Sequence, residues 1–485
     1  MRGGRARRTP NQALRLLLAE AGWSGARLAR EVNALGAAQG TALHYDRTAV
    51  AHWLAGSRPR RPVPSLVAEA LSRRLGRPVR EQDTGLGPTG GAADGLGAPA
   101  GERGAVESLD EVLRTTGRRR VALAGAYSLA ALAIPYGSLA APYGPPAIRR
   151  GPPESKGNSQ APQASPAPAA LPAPPFPEGR VGMAHVASAH ELLALFSRGD
   201  AVLGAGPVYE PLRQYLAATV LPWLRREMKP AVRRELLTVA SRLTYLCAFT
   251  HFDMNRHAAA QRLYLTSIDL AREAGDRIGC GLALRGLSVQ AHALRHFAEA
   301  QHLAEQAAET ALRHAPPHQQ AFFHGQLAVA LAGRGDARHA RHLAAADRCL
   351  ERSASGDTPV GAFHAGSLAL QGAAVAASGG DRHAAVRALD LSLRHRPADE
   401  RRSRALSLAE LAETQLAIGH LEQACRTWHT FLDVYPSVDS ARADDRMRLL
   451  IAKARPHSGN PVVAALLGRV REVQRRRPTS RRSGT

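Results

Sequence analysis

The chain has 485 residues, enough for two to four domains of about 100–200 residues, so a single small fold is excluded. Lysine plus arginine outnumber aspartate plus glutamate 64 to 41, a formal charge of +23, which excludes an acidic solvating protein and favours an anionic partner. Only Lys156, Lys229 and Lys453 are lysines, so the charge is arginine, which codon bias would also produce.

Residues 11–80 show apolar residues at helical spacing, broken by Gly and Pro. Leu14, Leu17 and Leu18 fall on one face of a first helix, and Leu28, Val32 and Leu35 on one face of a second, which Ser24 caps and Gly36 ends. After a connection of nine or ten residues, Asp46 caps a third helix. Its Val50, Trp53 and Leu54 share a buried face, while Arg47, Thr48, Ala51 and His52 point away. Gly56 ends that helix, and Arg58, Arg60 and Arg61 follow at once, placed to touch phosphates. A fourth helix, PSLVAEALSRRLG, closes the bundle through Leu66, Ala70 and Leu71.

A helix, a short helix, a capped helix ending in W-L-x-G-x-R-P and an amphipathic helix together resemble the Cro/repressor class of helix-turn-helix domains. That resemblance implies binding to double-stranded DNA, with Arg47, Thr48 and His52 facing base edges and Arg58, Arg60 and Arg61 facing the backbone. Residues 1–80 hold fifteen arginines against Glu20, Glu31, Asp46 and Glu69, a balance that suits phosphate. The connection between helices two and three exceeds the tight turn of about four residues found in that class. A small helical bundle used for protein contacts is the alternative.

Residues 84–180 read as a Gly/Ala/Pro-rich linker. Between Pro142 and Pro177 stand twelve of the 32 prolines, a composition for extended, solvated backbone. Within it, Arg118, Arg119 and Arg120 precede an apolar run to Pro135 that predicts a short helix over 118–135. The run resembles a twin-arginine export signal, but such signals work at an N-terminus. A buried or membrane-touching helix remains, and no run reaches the ~18–20 apolar residues of a membrane span. The expected location is cytoplasmic.

From 181 to 457 the chain is rich in Ala, Leu, Arg, Glu and His and reads as all-α. It also repeats. Asn255, Arg295, Gly335, Gly380 and Gly419 mark turns, each followed five residues later by an alanine: Ala260, Ala300, Ala340, Ala385 and Ala424. Twelve residues before each alanine stands another small residue: Ala248, Ser288, Ala328, Ala373 and Ala412. Small residues facing each other let the axes of a helix pair approach closely. Pro397 and Pro436 stop second helices. This pattern resembles the tetratricopeptide repeat (TPR), with Tyr264 and Trp428 at one of its aromatic positions. Its implication is a TPR-like α-solenoid of five or six helix pairs, with a groove for a protein, a peptide or a small ligand. A plain helical bundle is the alternative. Residues 458–485 read as a frayed basic tail.

With the segment from Val181 through Asp276 (LGAG at 203–206, then YEPLRQYLAATVLPWL), the combination resembles actinobacterial helix-turn-helix regulators with tetratricopeptide-like C-terminal regions. The resemblance implies transcriptional control in development or secondary metabolism and a homodimer on paired half-sites. No phosphate loop, H-E-x-x-H or G-x-S-x-G is present in the sequence, so no enzyme, catalytic residue or cofactor is expected. Cys247, Cys280, Cys349 and Cys425 and the scattered histidines lack metal-ligand spacing. A protein scaffold that binds no DNA and a membrane-tethered regulator are the competing readings.

Overall fold

The helices of the N-terminal bundle begin where a side chain satisfies the first free backbone N–H groups. In α1 (Gln12–Ala21) the Asn11 side chain accepts from the Leu14 N–H, and Gly22 closes the helix in the left-handed region. In α2 (Gly25–Ala38) the Ser24 hydroxyl accepts from the Arg27 N–H at 3.3 Å. Gly36 does not end α2, because Leu35 and Gly36 are both buried in the bundle, which outweighs the roughly 1 kcal/mol that a helical glycine costs. Asp46 caps α3 (Arg47–Leu54), and α4 (Val63–Leu75) closes the core. Leu14, Leu28, Val32, Val50, Trp53, Leu66 and Leu71 are buried together. The bundle outruns the boundary expected at residue 80. The Asn11 carboxamide donates to the Thr84 carbonyl at 2.9 Å, and Leu86 is buried in the same core.

The computed structural model describes residues 9–38, 43–60, 62–75, 77, 79–87, 104–116, 127–132, 180–353 and 363–476. All regular structure among them is helical. The stretch 84–180 is not wholly linker. It contains α5 (Ala105–Thr115), whose Val106, Leu109, Val112 and Leu113 are buried with the core of the repeat region, and a single turn, α6 (Leu129–Leu132). Two hydrophobic residues per helical turn suffice to dock such a helix, whatever the composition around it. The apolar helix expected over 118–135 is described only at 127–132; the rest lies outside the described residues. No described helix is long and apolar enough to cross a membrane.

Past α7 (Met183–Leu203), α8 (Tyr209–Tyr215) and α9 (Leu221–Leu224), the helices pack in consecutive pairs. They are α10 (Pro230–Asp253) with α11 (His257–Ala274), α12 (Arg277–Ala293) with α13 (Phe297–Ala311), and α14 (Pro317–Ala332) with α15 (His339–Glu351). Then follow α16 (Ala365–Ser378) with α17 (Arg382–His395) and α18 (Arg401–Ala417) with α19 (Leu421–Val434). A sixth pair is α20 (Ala441–Ala454) and α21 (Pro461–Arg476), so the expected frayed tail begins with a helix, which buries Val463, Leu466 and Val470. Residues 477–485 lie outside the described set.

The repeat register is written in the backbone. Asn255, Arg295, Gly335, Gly380 and Gly419, at the turn of each pair, have φ of 57°, 65°, 72°, 80° and 87°. This left-handed conformation lets each chain reverse within two or three residues, and it is costly for a residue with a Cβ. No other atom lies within 4 Å of the place a Cβ would take at Gly380, so Gly380→Ala tests the backbone alone. It should lower stability by about 1 kcal/mol, whereas Arg295→Gly should leave it unchanged or raise it by up to about 1 kcal/mol. Chemical denaturation of both variants checks this, and an Arg295→Gly loss as large as that of Gly380→Ala would refute it.

Nine of the ten small residues expected between paired helices are buried: Ala248, Ala260, Ser288, Ala300, Ala328, Ala373, Ala385, Ala412 and Ala424. The Ser288 hydroxyl donates to the Ala300 carbonyl at 2.7 Å, so these two positions meet as the spacing requires. Ala340 is the exception and is exposed. Helix α15 starts only at His339, after an extra turn through Arg338, and this rotates its packed face onto Ala346 and Cys349. The four cysteines are buried and unbridged. Tyr264 and Trp428 are buried in the cores of the first and fifth pairs.

The array is tied end to end. Arg402 on α18 pairs with Asp200 on α7 at 3.0 Å and stands 3.9 Å from Asp253 at the end of α10, with its guanidinium 4.7 Å above the Phe249 ring. Nearby, the Gly206 N–H donates to the Asp439 carbonyl at 2.9 Å, and Asn255 donates to Asp445 at 2.6 Å. The LGAG segment is therefore the seam between the first elements and α20.

Candidate nucleic-acid interface

Helix α3 is held from beneath and left open above. Val50 and Trp53 are buried in the bundle core, with the Tyr45 ring edge-on to Trp53 at 5.2 Å. The Asn33 carboxamide on α2 grips the backbone of Tyr45 from both sides, donating to its carbonyl at 2.8 Å and accepting from its N–H at 2.9 Å. Asp46 then caps α3 by accepting from the Ala49 N–H at 2.8 Å. A Cβ on Gly25 would stand 3.3 Å from Val50, so the start of α2 lies close against α3. No pattern in the sequence singled out Asn33 or Gly25, since a lone Asn on a helix and a lone Gly at its start are each ordinary.

This support leaves Arg47, Thr48, Ala51 and His52 exposed on the outer face of α3. Arg58 and Arg60 are also exposed, just past Gly56, while Arg61 lies outside the described residues. Gly56 brings this segment against the chain start: its φ is 95°, and a Cβ there would stand 2.1 Å from the Thr9 carbonyl oxygen. The connection between α2 and α3 comprises residues 39–46, still longer than a tight turn, and 39–42 lie outside the described residues.

Electrostatics favour an anion on this side. All four acids of residues 1–80 are engaged: Glu20 with Arg77, Glu31 with Arg27, Glu69 with Arg73, and Asp46 with the N-terminus of α3. Arg74 is also drawn inward, donating to the Ala21 carbonyl at 2.9 Å. The arginines at the C-terminal end of α4 thus serve the bundle, whereas Arg47 and Arg60 stand on the surface. Exposed arginines beside a polar, uncharged Thr and a His offer the two kinds of contact that a groove demands, charge for phosphate and directed donors for base edges.

In comparisons with known proteins, the model of a family described as the SP15 N-terminal domain matches residues 14–87. The matched range coincides with the bundle as the structure bounds it, from Leu14 to the residue after Leu86. No curated protein and no solved structure matches the chain.

Proposed function

We propose that this protein is a sequence-specific, DNA-binding transcriptional regulator. Its helix-turn-helix bundle reads double-stranded DNA with α3, and its TPR-like repeat region receives a protein, peptide or small-molecule signal. The observation that carries the reading is the outer face of α3, where Arg47, Thr48 and His52 are exposed while the residues beneath them are locked in the core. Rigid support of a short helix is what base readout needs, because a bidentate contact discriminates only if the side chain arrives in one geometry. Arg58 and Arg60, with Arg61 beside them in sequence, supply phosphate contacts in this reading, and a homodimer would place two α3 helices on half-sites about one helical turn apart. The sequence resemblance adds control of development or secondary metabolism as its setting.

The test is genome-wide recovery of DNA fragments bound by the full chain at about 150 mM salt, beside an Arg47→Ala/His52→Ala variant. The expected result is a shared motif in the wild-type fragments that the variant loses, each lost base contact costing about 1–3 kcal/mol of discrimination. Diffuse recovery, equal in both, would reject DNA reading by α3 and leave a protein scaffold.

A further inference from the structure

The strip from Tyr127 to Leu132 is too short to hold any structure of its own, since one helical turn does not overcome its nucleation cost. Its order comes from two partners. On the side of the repeat region, the Tyr127 ring stacks on His296 with centroids 5.7 Å apart and planes 7° from parallel. There also, the Gln261 carboxamide on α11 accepts from the Ser128 N–H at 2.8 Å and donates to the Ser128 carbonyl at 2.7 Å. On the side of the N-terminal bundle, Glu69 of α4 accepts from the Leu129 N–H at 3.0 Å with one carboxylate oxygen and from Arg73 at 2.7 Å with the other. Tyr127, Leu129 and Leu132 are buried with the repeat core, and α6 packs on α4.

Three consecutive residues are thus read in three ways: an aromatic face, both backbone groups of one residue, and a helix N-terminus. This is the grammar of peptide recognition, in which main-chain bonds give affinity and side-chain pockets give specificity. Gln261 and Glu69 are almost wholly buried, and burial raises the Glu69 pKa, its pairing with Arg73 notwithstanding. With the strip in place, the buried carboxylate and the buried carboxamide both have hydrogen-bond partners, so the contact costs no unsatisfied polar group at Glu69 or Gln261. Among the described residues the Tyr127 hydroxyl has no hydrogen-bond partner, and it is the ring that the site engages, by stacking on His296.

We propose that Gln261, His296 and Glu69 form a peptide-recognition surface shared by the repeat region and the N-terminal bundle, that the chain's own Tyr127–Leu132 occupies it, and that a partner segment of the same chemistry displaces it. Such a segment carries an aromatic residue, a residue read only through its backbone, and then Leu-x-x-Leu. Displacement removes the strip that joins the two regions and frees the bundle to reorient. Its consequence for DNA rests on the function proposed above; the surface itself does not.

The experiment uses the full chain and a fluorescein-labelled peptide of residues 126–133 with two lysines added for solubility. An intramolecular occupant competes at a high effective concentration, so the peptide should bind weakly to the wild type. Ser128→Pro removes the strip's N–H without touching the surface, and it should raise peptide affinity at least tenfold. Gln261→Ala in that background should take at least tenfold away again. Hydrogen exchange in α4 should quicken in Ser128→Pro. Equal affinity for wild type and Ser128→Pro, no binding to Ser128→Pro, or indifference to Gln261→Ala would each overturn the proposal. Unchanged exchange in α4 would do the same. These measurements contain no DNA, so their failure leaves the fragment-recovery test standing, and the reverse also holds.

Discussion

Arg402→Ala is expected to destabilise the repeat region by about 3–5 kcal/mol, the cost of leaving buried charge without its partner. Arg402 is nearly buried, and it faces Asp200 at 3.0 Å and Asp253 at 3.9 Å. Both carboxylates are themselves buried, and among the described residues neither oxygen of Asp253 has a hydrogen bond. Arg442 stands on the same cluster, over the Phe252 ring, and relieves part of the charge. Alanine at 402 therefore strands Asp200 and Asp253 between elements some two hundred residues apart. Chemical denaturation of the single variant, of Asp200→Asn and of the double variant forms a cycle. The double variant should lose less than the sum of the singles, and strict additivity would show that the pair does not couple.

The same cluster carries a pH signature. Burial, opposed by Arg402, raises the Asp200 pKa to about 6, against about 3.9 in an unfolded chain. A carboxyl with a raised folded-state pKa contributes stability fully below about pH 4 and loses it as pH rises through about 6. Asp200→Asn cannot titrate, so the stability difference between wild type and variant should shift in the variant's favour between pH 4 and 6. The shift should be on the order of 2–3 kcal/mol. Parallel pH profiles for the two proteins would show that Asp200 titrates normally.

Trp53→Ala is expected to cost about 3–5 kcal/mol, the range for deleting a buried large aromatic side chain. In a bundle of some eighty residues that is most of the available stability. Trp53 is 4% exposed and joins α3 to the core shared by α1, α2 and α4, with Tyr45 packed on its edge. Its loss removes the floor under Arg47, Thr48 and His52. Because the bundle core and the repeat core are separate clusters, the repeats should keep their protection. Hydrogen exchange by region measures this: fast exchange in α1–α4 with α10–α19 unchanged is the expected pattern, and a loss below about 1 kcal/mol would refute the role given to Trp53.

Local chemistry was legible from the residues alone. Ser24 and Asp46 announce helix starts because a side-chain oxygen placed just before a helix can accept from its first free N–H groups. The turn residues of the five pairs, and nine of the ten small residues between them, were legible because a repeat imposes the same backbone on each unit. The exposed faces of Arg47, Thr48 and His52 followed from helical periodicity.

Contacts between distant segments belonged to the tertiary structure alone. Ala340 fits the repeat by spacing, yet α15 starts late and turns it outward. α5 hid between Gly-rich stretches because its docking surface lies on other helices, and α21 hid in a basic tail because its apolar stripe, with Val463, Leu466 and Val470 buried, is covered by helices elsewhere in the chain. The Arg402–Asp200 pair, the seam at Gly206 and the bonds from Ser128 and Leu129 to Gln261 and Glu69 join residues 60 to more than 200 positions apart. Periodicity reports which face of an element is apolar, and it is silent about which distant surface covers that face. That choice is made by burial and by the need to satisfy each buried polar group, and both are properties of the folded chain as a whole.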